Sequence, residues 1–323
     1  MSWGSPSSIT KIGRSSSKSP KVWLATAKEG QVATGTSAKL AHLRAPITEL
    51  NFSEEEIRRY SRHIVLPEVG GIGQKQINRA SVLVVGAGGL GSPVAFYLAA
   101  AGVGTIGIVD NDVVDTSNLQ RQILHTTADV GRKKVQSARE ALLALNPNLT
   151  IVPHDVRLNA GNIVDILRDY DVVAEGSDNF PTKFLVNDAC VMTDTPLSMA
   201  GIFRFSGQIL TVVPHVGPCY RCLIPQPPPP GAIPSCQEAG VLGAMAGAVG
   251  VIQATEVLKL ILGKGQVLQG RLLLFEALQM RFEPIEMKRN PECPVCSATP
   301  SITELIDYDI ACEMQPPSAS APS

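Results

Sequence analysis

The sequence predicts an α/β protein with a doubly wound, mostly parallel sheet, and three observations carry that reading. Residues 80–109 contain no charged side chain and no histidine, yet glycines at 86, 88, 89 and 91, and again at 102 and 104, cut the run into strand, helix and strand. A strand buried on both faces reads as continuous apolar sequence, as parallel strands between two helical layers do. Strand-like and helix-like stretches then alternate as far as residue 193, the pattern of parallel strands joined by right-handed crossovers. Finally, 323 residues with 44% hydrophobic and 18% charged side chains hold enough apolar material for a sizeable core.

Taken in order, residues 81–85 and 105–110 are strands, with a small-residue helix starting at the glycines between them. Residues 132–145 form a helix, because Val135, Ala138, Leu142 and Leu145 recur at helical spacing and Asn146-Pro147 ends the run. Residues 150–153 and 171–175 are short strands, with helices over 162–167 and 181–193. After about residue 197 the texture changes. A strand over 208–213, a proline-rich stretch over 225–231, a Gly/Ala-rich helix over 242–262 and a last strand over 271–277 complete the chain. The four prolines 227–230 read as a stiff crossing loop. Neither apolar stretch predicts a membrane span, because glycines divide 80–109 and the uncharged part of the later helix, 239–253, is short and glycine-rich.

The formal net charge is −1, which argues against unselective binding to a phosphate backbone. Residues 1–50 carry seven basic and two acidic side chains, leaving 21 basic and 27 acidic for the remainder, a net of −6. This Ser-rich stretch has no sustained hydrophobic period and reads as a disordered tail. It lacks the apolar run of a secretory signal, and only Arg14 and Arg44 support a transit peptide, so the reading is cytoplasmic. The domain proper is expected over 51–310, followed by a flexible tail over 311–323.

The first chemical signal is Gly86-x-Gly88-Gly89-x-Gly91 between a strand and a helix. Glycine lets backbone approach a phosphate there, and a helix N-terminus offers unpaired N–H groups and a positive dipole end. Asp110, 19 residues past Gly91 at the end of the next strand, is placed to take ribose hydroxyls. These residues alone fit a nicotinamide or flavin oxidoreductase as well as an ATP-using enzyme. The sequence argues against a P-loop kinase, since Gly263-Lys264 lacks both the upstream glycine and a following Ser or Thr.

The second signal is polar: Asp110, Asp112, Asn118, Arg121 and Gln122, then Lys133 and Lys134, then Asp178 and Asn179. All are expected at carboxyl ends of parallel strands, beside the nucleotide. Hydride transfer needs no such set. Attack of a carboxylate on the α-phosphate of ATP needs cations for the phosphates and an acid for magnesium. Solvated surface pairing is the competing account of the basic residues.

The third signal is a pair of Cys-x-x-Cys motifs, Cys219-Tyr-Arg-Cys222 and Cys293-Pro-Val-Cys296. Together they predict a closed, structural zinc site with four cysteine ligands. With 70 residues between Cys222 and Cys293, the metal would clip the C-terminal segment onto the core. The repeated spacing and the absence of a secretory signal favour metal over disulfides or redox pairs. Cys236 lies in a loop between the proline run and a helix, where a thiolate could serve as a nucleophile or sulfur acceptor. Cys190 and Cys312 read as structural. The five histidines show no metal-ligand spacing.

In combination these pieces resemble the MoeB/ThiF/HesA family, adenylating relatives of ubiquitin-activating enzymes. The resemblance runs from about Phe52 to Tyr308, through Arg59-Tyr-Ser-Arg62-His63-Ile64, the glycine loop to Ser92, Asp110-Asn-Asp112, Ser117 to Gln122, Gly131 to Val135, Ser177-Asp178-Asn179 and the cysteine pairs. It implies a Rossmann-like domain that binds ATP and magnesium and adenylates the C-terminal glycine of a ubiquitin-like sulfur carrier ending in Gly-Gly. By motif, Gly86 to Gly91 and Asp110 hold the nucleotide, Asn118, Arg121 and Lys134 orient and neutralise its phosphates, and Asp178 binds magnesium. The resemblance also implies a homodimer in which Arg62 reaches the phosphates of the other subunit. Lys133, adjacent to Lys134, is the alternative phosphate contact. Cys236 matches a crossover-loop cysteine that in some relatives links to the carrier or passes sulfur.

Some relatives continue into a rhodanese domain. Here the chain ends about 27 residues after Cys296, so sulfur is expected from a separate persulfide donor. The overall texture points to a molybdopterin-type carrier ahead of one serving thiamine, tRNA thiolation, cysteine or a secondary metabolite. Two other functions compete, a dinucleotide-dependent oxidoreductase and a non-catalytic subunit that docks a carrier. Arg62, Arg121, Lys134 and Asp178 argue against the second, because a docking partner needs no phosphate-and-magnesium site.

Overall fold

The computed structural model describes residues 37–229 and 239–308. One sheet of eight strands organises them: β1 (Ser81–Val85), β2 (Thr105–Val109), β3 (Thr150–His154), β4 (Val172–Glu175), β5 (Leu197–Phe203), β6 (Ser206–Val212), β7 (Arg271–Glu276) and β8 (Arg281–Glu286). Their spatial order is β3-β2-β1-β4-β5-β6-β7-β8. The first five are parallel, and β5 to β8 form an antiparallel meander. Strand order reverses at β1, between β2 and β4, so a crevice opens at their carboxyl ends.

The apolar run between residues 80 and 109 is explained by burial on both faces. Along β1, Val82 and Val84 enter one core cluster, and Leu83 and Val85 enter the other. The first cluster lies under α2 (Gly70–Arg79), α3 (Gly91–Ala101), α4 (Lys134–Leu145) and α8 (Gly243–Leu262); the second lies under α5 (Ile163–Leu167), α6 (Phe180–Met192) and the cysteine segments. Between these, α1 (Glu54–Ile64) opens with a reciprocal Ser53/Glu56 capping box, and α7 (Tyr220–Leu223) is one short turn. Helix α8 alone, among the described residues, is long and apolar enough to cross a membrane, yet 56% of that window is buried inside the protein. It is a core helix. A Cβ on Gly250 would stand 2.5 Å from Pro93 Cγ and 2.8 Å from Leu90 O, so glycine there permits the tight α3–α8 crossing.

The expected tail boundary at residue 50 is corrected. A 3-10 helix over Ala38–Arg44 buries Leu40 and Leu43 in the core. Ser37 Oγ donates to Asp194 O at 2.6 Å, and Lys39 Nζ donates to Leu167 O at 2.7 Å. The three-residue spacing of Leu40 and Leu43 suits a 3-10 turn and is too short to register as a helical period. Strand β8 adds to the expected strands: every residue of it is exposed and Pro284 interrupts it, as suits an edge strand.

Candidate functional site

The glycine loop forms where β1 ends. Gly86 has φ +91° and still extends the ladder, donating to Val109 O at 2.8 Å. A Cβ on Gly91 would fall 1.7 Å from Gly86 O, so the loop closes on itself only with glycine there. Helix α3 begins at Gly91 without a side-chain cap; Ser92 N donates to Gly88 O at 2.9 Å, Pro93 has no N–H and Val94 N donates to Leu90 O at 3.4 Å, so the amides left for an anion are those of Gly88 to Gly91.

Asp110 braces this loop. Its Oδ2 accepts from Ala87 N at 2.8 Å and its Oδ1 from Asp112 N at 2.9 Å. His125 braces it from below, with Nε2 2.9 Å from Ala87 O and Nδ1 2.8 Å from Ser137 Oγ. Burial pushes the His125 pKa down, so the ring is neutral, and the carbonyl contact assigns its proton to Nε2. Sequence reasoning passed over His125, since nothing in its spacing marks it.

The segment after β2 covers the loop. Asp115 caps a 3-10 turn over Thr116–Asn118, and Asn118 Oδ1 accepts from Asp115 N at 3.2 Å. Arg121 lays its stem beside Gly89, where a Cβ would be 3.3 Å from Arg121 Cγ, and Nη1 donates to Ser117 O at 3.2 Å. Gln122 is buried, near Gly88, and its Oε1 has no partner. The two lysines separate cleanly. Lys134 is buried with Nζ 2.9 Å from Asp112 Oδ2, whereas Lys133 turns outward to Asp155 at 3.1 Å. Across the crevice, Asp178 is exposed in the turn after β4, and Asn179 caps α6 by accepting from Thr182 N at 2.9 Å. Glycine loop, Asp110, Asp112, Asn118, Arg121, Gln122, Lys134 and Asp178 thus gather at the carboxyl ends of β1, β2 and β4.

Arg62 is not brought there. It is exposed in the last turn of α1, a helix whose Tyr60 packs against Gly102, where a Cβ would meet Tyr60 Cζ at 2.5 Å. Gly102 caps the far end of α3, whose 11 residues span roughly 16 Å. Cys236 lies outside the described residues.

The four cysteines 219, 222, 293 and 296 converge beneath α6, all sulfurs lying within 4.8 Å of one another. Cys219 and Cys293 Sγ are 3.6 Å apart, and Cys222 and Cys296 Sγ 3.4 Å. These distances exclude disulfides and approach the ~3.8 Å edge of a tetrahedron with ~2.3 Å metal–sulfur bonds. Backbone amides of Asn290 and Cys296 point at Cys222 and Cys293 sulfurs at 3.4 and 3.5 Å, as around thiolates. The donor set fits one closed, tetrahedral, thiolate-bound divalent ion.

The ThiF family model matches residues 60–295. A sulfur carrier protein adenylyltransferase of Thermus thermophilus is 50% identical over 271 residues, covering 82% of this chain and all of the relative. A SAMP-activating enzyme E1 of Haloferax volcanii is 47% identical, covering 81% of this chain and 97% of that protein. The adenylyltransferase and sulfurtransferase MOCS3 of Aedes aegypti is 48% identical, and this chain spans 61% of its length. Among solved structures, Escherichia coli MccB superposes with a TM-score of 0.67 at 24% identity over 78% of this chain and 75% of that one, a likeness of fold.

Proposed function

The chain belongs to the ThiF family, and from that premise we propose that it adenylates the C-terminal glycine of a ubiquitin-like sulfur carrier at the expense of ATP. It is an adenylyltransferase, and the observation that carries this is 50% identity along the whole length of a sulfur carrier protein adenylyltransferase. The oxidoreductase reading of the glycine loop is set aside on the same ground.

In the proposed reaction a carboxylate oxygen of the carrier's terminal glycine attacks the α-phosphorus of ATP. A carboxylate–phosphorus bond forms, and the bond from that phosphorus to the bridging oxygen breaks. Pyrophosphate leaves with the electron pair, and no proton need move. Backbone amides of Gly88 to Gly91 hold the phosphates, while Asp110 faces the ribose and keeps the loop in shape through Ala87 N. Arg121 and Lys134 neutralise the charge that builds on the leaving group. Asp178 would hold magnesium, which would supply countercharge for the phosphates. Arg62 completes the site from a second copy of the chain, which makes the working unit a homodimer. Zinc occupies the four-cysteine site as a structural ion. Cys236 serves sulfur transfer after adenylation, with sulfur from a separate persulfide donor. The setting is the cytoplasm, and the carrier is of the molybdopterin type.

The experiment is ATP–pyrophosphate exchange with magnesium, with and without a panel of carriers ending in Gly-Gly. Carrier-dependent exchange supports the reading. Folded, metal-loaded protein that exchanges with none of them overturns it.

A further inference from the structure

Glu175, the last residue of β4, is a carboxylate with no solvent exposure directly behind the Asp178 turn. Its Oε2 accepts from Lys183 Nζ at 2.5 Å, and the same ammonium donates to Ala200 O of β5 at 2.6 Å. Its Oε1 accepts from Ser177 N at 2.7 Å and from the Ser177 hydroxyl. Its own carbonyl accepts from Gln253 Nε2 of α8 at 2.7 Å, and that amide donates also to Ser198 O at 2.9 Å. One side chain therefore ties the end of β4 to the turn that follows and to α6, while its backbone is tied to α8.

Stability alone does not account for such a pair, because apolar side chains of similar volume fill a dry site at least as well. Geometry accounts for it. The turn over residues 176–179 is anchored at its start by Ser177 on Glu175 and at its end by Asn179 on Thr182. Asp178 stands between the anchors, exposed, with its carboxylate in no hydrogen bond or ion pair among the described residues. Its backbone is fixed on both sides and its oxygens are free. The turn is also pressed onto the nucleotide loop: a Cβ on Gly176 would sit 3.1 Å from Gly91 N, and one on Gly86 would sit 3.3 Å from Gly176 O.

We propose that the buried Glu175–Lys183 pair is a positioning device that sets where the Asp178 carboxylate stands relative to the glycine loop, and so tunes the affinity of the site for a divalent cation on the nucleotide. This rests on the reading of the crevice as an ATP site. Glu175 touches neither nucleotide nor cation; it acts through Ser177 and Lys183.

The test uses Mn2+ as the probe, titrated by electron paramagnetic resonance onto full-length protein saturated with a non-hydrolysable ATP analogue, without carrier. Hydrogen exchange at residues 176–179 and thermal melting accompany it. Glu175→Gln leaves the Lys183 charge buried and unpaired, so the decisive variant is Glu175→Gln combined with Lys183→Gln, which removes both charges. The expected result is a rise of about tenfold in the half-saturating Mn2+ concentration, the scale of losing a group that orients a metal ligand. Amides of the 176–179 turn should also exchange faster. Half-saturation is independent of how much protein is folded, so a purely structural role would lower the melting temperature and leave it in place. Wild-type half-saturation and wild-type turn protection in the double variant overturn the proposal. Wild-type protein that binds the analogue and recruits no Mn2+ overturns the ATP–cation reading of the crevice, and the positioning role with it.

Discussion

Arg221 and Asp188 meet in the interior as a two-pronged pair: Nε donates to Oδ1 at 2.8 Å and a terminal nitrogen donates to Oδ2 at 2.9 Å, with both side chains almost wholly buried. Arg221 lies between Cys219 and Cys222 of the four-cysteine cluster, and Asp188 lies on α6, the helix that Asn179 caps. Tyr308 closes the group, donating to Asp188 Oδ2 at 2.5 Å. The cysteine knuckle is thereby keyed to the element that carries the Asp178 turn.

Breaking that key from one side should be costly. Arg221→Met leaves a buried carboxylate without its partner and should destabilise the fold by about 3–5 kcal/mol, whereas Arg221→Met with Asp188→Leu should recover most of the loss. Urea denaturation of the three proteins checks this; a single variant as stable as the double would refute it.

The metal site should hold one zinc per chain by elemental analysis. Chelation, or Cys293→Ser, should lower the melting temperature by several degrees, since a structural ion contributes folding energy. Nucleotide affinity of the protein that remains folded should be unchanged, measured by calorimetry below the transition.

The glycine loop tolerates no added carbon at Gly91, where a Cβ would lie 1.7 Å from Gly86 O. Gly91→Ala should lose ~100-fold or more in ATP affinity, the scale of displacing a binding group by an ångström, with a destabilised fold. Gly247, on α8, has nothing within 4 Å of its added Cβ, and Gly247→Ala should raise stability by about 0.5–1 kcal/mol.

Arg62 and Asp178 should complement across subunits. Arg62→Ala and Asp178→Ala should each abolish pyrophosphate exchange alone. Mixed and allowed to re-form dimers at random, they should regain about a quarter of wild-type exchange, because half the dimers are mixed and each carries one intact site. No recovery on mixing would place Arg62 outside the partner's site.

Stability should fall in mild acid. Buried His125 resists protonation in the folded state, while the unfolded chain takes up its proton near pH 6.5. The unfolded state binds more protons below that value, so stability is level above it and declines as pH drops through it, by at most about 1.4 kcal/mol per unit per group. His154 is shifted in the same direction by burial and adds to the slope. Urea midpoints between pH 7.5 and 5.5 should fall less steeply in His125→Gln than in the wild type.

Much of this was legible in the chain. Strands β1, β2 and β4 were readable because burial on both faces leaves apolar runs, and edge strand β3 because it follows the Asn146-Pro147 stop; α4 was readable from its apolar spacing, and α3, α6 and α8 from long apolar or small-residue stretches with clear stops. Helix α1 carried its own signals, a Ser53/Glu56 capping box and Ile57, Tyr60 and Ile64 at helical spacing on an otherwise charged segment, and was passed over because it is so short of apolar residues. Helix α2 was hidden by its glycines, one of which, Gly73, lets α2 lie close to Leu262, whose Cδ2 would stand 2.9 Å from an added Cβ. In the crevice, residues grouped by local spacing were legible as a set: the glycine loop, Asp110, and the Asn118 to Gln122 segment. Residues that act through pairing across the sheet were not. Nothing near Glu175 in sequence announces Gln253, and nothing near Ala87 announces His125, since those meetings depend on the register of parallel strands and on how helices lie across them.

The four-cysteine clip also sets an order of assembly. Cys219 and Cys222 are synthesised some 70 residues before Cys293, so at roughly 5–20 residues per second the first pair waits about 4–14 s on the ribosome for the second. For that interval Cys219 and Cys222 lack the other two sulfurs of the cluster, and α6 lacks the finished knuckle that Arg221 keys to it. The residues of the nucleotide crevice, from the glycine loop at 86–91 to the Asp178 turn, are all synthesised before the second cysteine pair, so the clip closes on a sheet whose crevice already has its full sequence.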